Sequence, residues 1–157
     1  MTLNQQTEVK IDIVVQNVTS FSPVPSDQQF AQWVSATLHK HGGAELLIRL
    51  VDRQESRQLN AQYRHENKAT NVLSFPVDLQ EEVGLALLGD IIICAPIVAE
   101  EARDQHKAAE AHWAHLTIHG TLHLLGHDHQ AEQEATEMES LETRILQSLG
   151  FSDPYHF

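Results

Sequence analysis

The chain contains one cysteine, Cys94, in 157 residues, so no disulfide can close within it and a reducing compartment is expected, which we read as the cytoplasm. Long apolar runs are also missing. The densest stretch, residues 85–99, is interrupted by Asp90 and is shorter than the ~20 residues a membrane-spanning helix needs, so no membrane role is expected. Met1 to Glu8 lacks a basic patch followed by an apolar run, and no export signal is expected. Basic residues are scarce, 10 against 22 acidic for a net charge of -12, which favours solubility and repels polyanions in general. Internal repeats, low-complexity tracts and glycine-rich phosphate loops are absent. The composition is otherwise that of an ordinary globular protein, which excludes collagenous and disordered classes. The length suits one domain over residues 1–157, able to bury about two-thirds of its unfolded surface.

The few cations are unevenly placed. Arg49, Arg53, Arg57, Arg64 and Lys68 are half of all basic residues, opposed in that segment only by Asp52, Glu55 and Glu66. They could track a polyanion backbone or simply decorate a strand and a helix.

Hydrophobic periodicity supplies the elements. Val9 to Val15 alternates like a half-exposed strand. Ser26-Asp27 caps a helix carrying Phe30, Trp33, Val34 and Leu38, with Gly42-Gly43 as its expected stop. Leu46 to Val51 reads as a buried strand, and Asp52 as the cap of a helix reaching about His65. Asn71 to Val77 and Leu87 to Cys94 are further strands, joined by a loop holding Gln80-Glu81-Glu82 and Gly84. From Pro96 to Leu125 the pattern is helical, with a break expected near His106 to Ala109 because one unbroken helix would be too long. Gln130 to Leu149 forms a last helix whose solvated face is expected to carry Glu132, Glu134, Glu137, Glu139 and Glu142, and Gly150 stops it. The sum is an α/β (α+β) fold, a small four-stranded mixed sheet packed with about five helices.

Seven of the eleven histidines lie between residues 106 and 129. His119 and His123, four apart, project from one helix face and can share one ion. Gly126 can end the helix in a left-handed turn and return the chain, so that His129 supplies a third imidazole at Zn-N distances of ~2.0 to 2.1 Å, leaving a fourth position open for water. This puts a metal site on a helix followed by a glycine turn. His115 stands ~12 Å of helix from His123, too far to share the ion. His112 and His115 are therefore expected to be structural or to support the ligands, and Asp90 and Asp128 are candidates to hold a ligand ring by its other N–H. The spacing matches the metal ligands of metzincin proteases, but Gly120 occupies the place of their glutamate base and cannot transfer a proton.

The run His119-Gly120-Thr121-Leu122-His123-Leu124-Leu125-Gly126-His127-Asp128-His129 resembles the H-G-x-L-H-L-x-G-Y-D-H signature of the YbeY family, single-domain metal-dependent endoribonucleases of ribosomal RNA maturation. Asn60-Ala61-Gln62-Tyr63-Arg64, Thr70-Asn71-Val72-Leu73-Ser74-Phe75-Pro76 and Leu88-Gly89-Asp90-Ile91 resemble further segments of that family, as does Asp153-Pro154-Tyr155 near the end. There are two departures. His127 stands for a tyrosine, and His65-Glu66-Asn67 follows Arg64 where the family has Gly-Lys-Asp, removing a lysine able to touch RNA.

Three neutral imidazoles leave the charge of a divalent ion uncancelled, so the site attracts phosphate despite the acidic chain. An ion so held can polarise a phosphoryl oxygen and acidify water, which makes phosphodiester hydrolysis chemically reasonable. The resemblance implies Arg64 as the catalytic guanidinium and one Zn2+ per chain. It also implies single-stranded RNA as substrate, 16S rRNA 3′-end maturation and ribosome quality control as function, and small-subunit ribosomal proteins as further partners. Nickel or copper would bind three nitrogens comparably or more tightly than zinc. The proton acceptor stays open between water on the ion, a histidine such as His127, and the RNA 2′-OH. Two other readings are a non-catalytic ribosome-assembly factor with a structural zinc, and a metzincin-like peptide hydrolase.

Overall fold

A computed structural model describes residues 11–39, 43–77, 87–127 and 131–155. Among them run, in chain order, β1 (Ile11–Asn17), α1 (Asp27–Thr37), β2 (Ala44–Val51), α2 (Arg53–Arg64), β3 (Val72–Pro76), β4 (Leu87–Cys94), α3 (Ala95–Asp104), α4 (Ala109–Leu124) and α5 (Glu132–Ser148). The sheet order is β1-β2-β4-β3. β2 pairs in parallel with both β1 and β4, while β3 runs antiparallel to β4, so the expected four-stranded mixed sheet with five helices is what forms. Among the described residues β3 therefore lies at an edge of the sheet.

One face of the sheet presents Leu46, Ile48, Leu50, Ile91 and Ile93 to Phe30, Trp33, Trp113, Leu116 and Ile118 in a single buried cluster. Phe30 stands edge-on to Trp33 and to Trp113, with ring centroids 5.6 and 5.9 Å away, the arrangement that aromatic quadrupoles favour. The opposite face carries a smaller cluster of Val51, Leu73, Ile92 and Cys94 beneath Leu59 of α2 and Ile97 of α3.

Local chemistry sets the boundaries. At α1, the Ser26 hydroxyl accepts from the Gln29 N–H while the Gln29 side chain accepts from the Ser26 N–H, a reciprocal capping box. That helix closes at Leu38, so the glycine pair is not its stop; Gly42 lies outside the described residues. Asp52 occupies the N-cap position of α2 but makes no capping bond. Its carboxylate is taken instead by the Thr19 hydroxyl and by the backbone and hydroxyl of Ser20, beyond the end of β1, and these donors hold it below its usual pKa. The break in the long helical pattern falls where length predicts it. His106 takes a left-handed φ of 55°, and the Lys107 N–H bonds the Ala102 carbonyl at 3.0 Å, which closes α3 as glycine more commonly does.

α4 is buried on nearly every side, as expected of a helix apolar all round. Gly120 lies directly on the sheet. A Cβ there would lie 2.9 Å from Ile91 Cγ2 and 3.2 Å from Ser74 Oγ, so the helix can sit this low on β3 and β4 only with hydrogen at that position. The loop between β3 and β4 and its acidic residues Glu81 and Glu82 lie outside the described residues.

Candidate functional site

His119 and His123 occupy the last two turns of α4 and point the same way. Their Nε2 atoms are 3.1 Å apart and their ring centroids 4.6 Å. Two ligand nitrogens of a tetrahedral zinc ion at ~2.0 to 2.1 Å are separated by about 3.3 Å, so the pair needs an adjustment of only a few tenths of an ångström to hold one. α4 then ends as its sequence requires. Gly126 adopts φ 99°, its N–H bonds the His123 carbonyl at 3.0 Å, and the His127 N–H bonds the Leu122 carbonyl at 3.1 Å. This is the Schellman closure that turns the chain sharply after the helix. The third expected ligand, His129, and its neighbour Asp128 lie outside the described residues. Among the described residues no third His, Cys, Asp or Glu joins the pair.

What holds the His119 ring was not found from sequence. Glu142 was expected on the solvated face of α5, yet it is 1% exposed, whereas Glu132, Glu134, Glu137 and Glu139 do face solvent. Its Oε2 accepts from His119 Nδ1 at 2.5 Å, and its Oε1 accepts from His115 Nε2 at 2.8 Å and from the Tyr155 hydroxyl. Burial alone would raise the Glu142 pKa, but the bonds from His115, His119 and Tyr155 prevail and hold it at about 2. Burial and the adjoining carboxylate push the Tyr155 phenol up, so it remains the donor of that bond. A signal for Glu142 existed in the sequence. It falls four residues after Met138 and four before Leu146, both buried, and so lies in the apolar stripe of α5.

Asp90 does not serve as a support for the ligands. It neighbours Ile91, which faces α4, and strand alternation turns it to the opposite face, where it is exposed opposite Phe75. His115 is tied to Glu142, and burial pushes its pKa down. His112 Nε2 bonds Glu101 at 2.8 Å, joining α4 to α3. Both rings keep a buried Nδ1 with no partner among the described residues, while the Nε2 of each meets a carboxylate. The expectation that these two histidines are structural or support the ligands accords with these bonds.

The histidine pair opens into a cleft of about 400 Å³ whose other walls are Asn60 and Arg64 of α2, Lys68 and Thr70 beyond it, and Asn71 to Ser74 along the edge strand. Most polar groups of this wall are engaged internally. Asn60 Nδ2 donates to the Lys68 carbonyl, Ser74 Oγ to the Gly120 carbonyl and Asn71 Nδ2 to Glu101, while Lys68 pairs with Glu66 at 3.3 Å. Arg64, the last residue of α2, is exposed and has no ion pair among the described residues. Of the other cations in its segment, Arg49 is held by Glu55 and Gln16, and Arg53 by Glu100. These two decorate the fold. Beyond His119 a second hollow of about 290 Å³ is lined by Glu101, Lys107, His112 and Tyr155, among others.

Immediately after Arg64, His65 takes φ 60°, a left-handed conformation that few side chains favour. It stands where the resembled family has glycine.

The arrangement offers two convergent nitrogen donors, a carboxylate fixing one of them, and a guanidinium across the same cleft. Among the described residues no helix is long and apolar enough to cross a membrane. A family model described as endoribonuclease YbeY matches residues 5–150. Among solved structures, the chain is similar to the solution structure of TM1509 from Thermotoga maritima. That likeness has a TM-score of 0.56 and 24% identity, over 94% of this chain and 99% of that one. At this identity the likeness bears on the fold alone.

Proposed function

This chain belongs to the endoribonuclease YbeY family, and from that premise we propose that it is a metal-dependent endoribonuclease of single-stranded RNA acting as one domain over residues 1–157. The proposal extends to cytoplasmic maturation of the 16S rRNA 3′ end and late-stage ribosome quality control, with ribosomal RNA and small-subunit ribosomal proteins as partners. The observation that carries it is the 3.1 Å convergence of His119 and His123 Nε2 on the wall of the cleft that Arg64 also lines.

One zinc ion would be held by His119, His123 and His129, a donor set of neutral nitrogens that leaves the charge of the ion available to an anionic substrate. When bound, such an ion supplies electrophilic charge for a phosphoryl oxygen and acidity for water. The chain's own residues do the rest. Arg64 meets the charge that develops on the non-bridging oxygens, because a guanidinium is permanently charged and can bond two oxygens at once. Lys68, on the same rim, adds a salt-sensitive attraction for the flanking backbone. The edge strand β3 forms a wall along which an extended strand can lie.

A peptide hydrolase of metzincin type is disfavoured by Gly120. It lies on Ile91 and Ser74, so a side chain there would run into the sheet rather than into the cleft. The test is cleavage of a single-stranded RNA by zinc-replete protein, compared with His123→Ala and Arg64→Ala at equal circular dichroism. The histidine variant is expected to lose cleavage, and the arginine variant to slow by about 10²- to 10³-fold, as when one transition-state donor is removed. Undiminished cleavage in both variants would identify a contaminating nuclease and defeat the proposal. Loss of cell function only when the fold is lost, with inactive folded variants tolerated, would favour the non-catalytic assembly role.

A further inference from the structure

We infer that Glu142, clamped by Tyr155, is a positioning residue that keeps the ring proton of His119 on Nδ1 and so presents the Nε2 lone pair to the metal; this rests on the metal-dependent reading above. The first ground is location. Glu142 sits in the apolar stripe of α5 between Met138 and Leu146 at 1% exposure. An apolar residue would fill such a place at least as well for stability alone, since desolvating a carboxylate is costly unless its bonds are needed.

The second ground is the division of labour between its oxygens. Oε2 serves His119 alone, at 2.5 Å, whereas Oε1 is shared by His115 Nε2 and the Tyr155 hydroxyl. Donors on Oε1 stop the carboxylate from turning, so Oε2 is fixed where the ring of His119 must meet it. A neutral imidazole has one N–H. If Nδ1 donates it to Glu142, Nε2 is left with a lone pair, and that is the atom 3.1 Å from His123 Nε2. Tyr155 itself is set by its tail. Its N–H bonds Asp153 Oδ1 at 2.8 Å, and the same oxygen accepts from Thr143 of α5 at 3.4 Å. A segment 36 residues beyond His119 thereby governs the orientation of a ligand. The His112–Glu101 pair has the same chemistry but joins α3 to α4 through a histidine seven residues before His119, and it provides the comparison for a tie to a ring that is not an expected ligand.

The experiment titrates zinc ion against a chromogenic chelator with the full chain and with Glu142→Gln, Tyr155→Phe and Glu101→Gln. It also locates the ring proton of His119 in metal-free protein by long-range ¹⁵N–¹H correlation in mildly alkaline buffer. Glu142→Gln is expected to weaken zinc affinity by about 10- to 100-fold, the usual effect of removing a partner that orients a ligand. Tyr155→Phe should weaken it by less, and Glu101→Gln should leave it unchanged. The wild-type spectrum should show the proton on Nδ1. Unchanged affinity in Glu142→Gln, an equal loss in Glu101→Gln, or a proton on Nε2 with Nδ1 bare would overturn the inference. If Glu142→Gln does not fold, Tyr155→Phe and the wild-type spectrum decide. Failure of the wild type itself to bind zinc would instead defeat the metal-dependent reading, and so the two failures are distinguishable.

Discussion

Replacing Gly120 by alanine puts a methyl group where the structure has room for a hydrogen. Its Cβ would lie 2.9 Å from Ile91 Cγ2, 3.2 Å from Ser74 Oγ and 3.4 Å from Ile91 Cδ1. Ordinary carbon contacts are at about 3.5 to 4.0 Å, so Ile91, fully buried and stiff at χ1, must retreat by about 0.6 Å or more. Overpacking of this kind costs about 1 to 3 kcal/mol. Alanine recovers about 1 kcal/mol through helix propensity. The net effect expected is a loss of about 1 kcal/mol, or a melting temperature lower by about 2 to 4 °C for a chain of this size. The sign should reverse once Ile91 is shortened. In an Ile91→Ala background, Gly120→Ala should stabilise by up to about 1 kcal/mol, because helix propensity and cavity filling are then opposed only by the 3.2 Å approach to Ser74 Oγ. Gly120→Glu, which restores the glutamate of the metzincin pattern, should cost several kcal/mol by burying an unpaired carboxylate and should cut no peptide. Thermal melts of the four alanine-series proteins decide the matter. A Gly120→Ala protein as stable as wild type, or no reversal in the Ile91→Ala background, would refute the account of how α4 lies on the sheet.

His65→Gly should raise stability by up to about 1 kcal/mol in urea melts, since relief of the left-handed strain at φ 60° exceeds the entropy glycine loses on folding; a destabilised variant would mean that the His65 side chain makes a contribution beyond its backbone. Asp52 has a folded pKa held below its usual value by Thr19 and Ser20. Its contribution is therefore complete above the unfolded value of about 3.9 and is lost as pH falls through the lower folded value. Wild type should exceed Asp52→Asn in stability by a constant margin near neutrality, and that margin should close in the acid range; a margin that widens on acidification would contradict the assigned bonds. Arg64→Lys should keep the charge but lose paired bonding, so RNA cleavage should fall in kcat more than in KM, whereas an unchanged kcat would remove Arg64 from the reaction.

Much of this was written in local sequence. β4 spans Leu87–Cys94 as its apolar run implies, because a mostly buried strand followed by a helix-starting proline has little latitude at its end. The histidine pair was legible because four-residue spacing fixes direction on a helix irrespective of context, and Gly126 because a left-handed turn needs it. The inward turn of Glu142 was not read. One acidic residue among five looks like its neighbours unless the stripe of Met138, Glu142 and Leu146 is weighed above charge. Its partners are 27, 23 and 13 residues away in the chain, so only tertiary packing brings them together. Asp52 shows the same limit. Its position at a helix start suggested a local cap, but Thr19 and Ser20, more than thirty residues earlier, offered it better donors. The left-handed turns at His65 and His106 were hidden because histidine does not announce them.

The claim at the centre of the account is that three imidazoles share one ion and leave it a vacancy. X-ray absorption at the zinc edge of the loaded protein tests this directly. The account predicts three imidazole nitrogens at ~2.0 to 2.1 Å and one oxygen that exchanges with solvent. A fourth protein donor closing the coordination shell, or a spectrum with fewer than three imidazoles that is unchanged in His123→Ala, would contradict it.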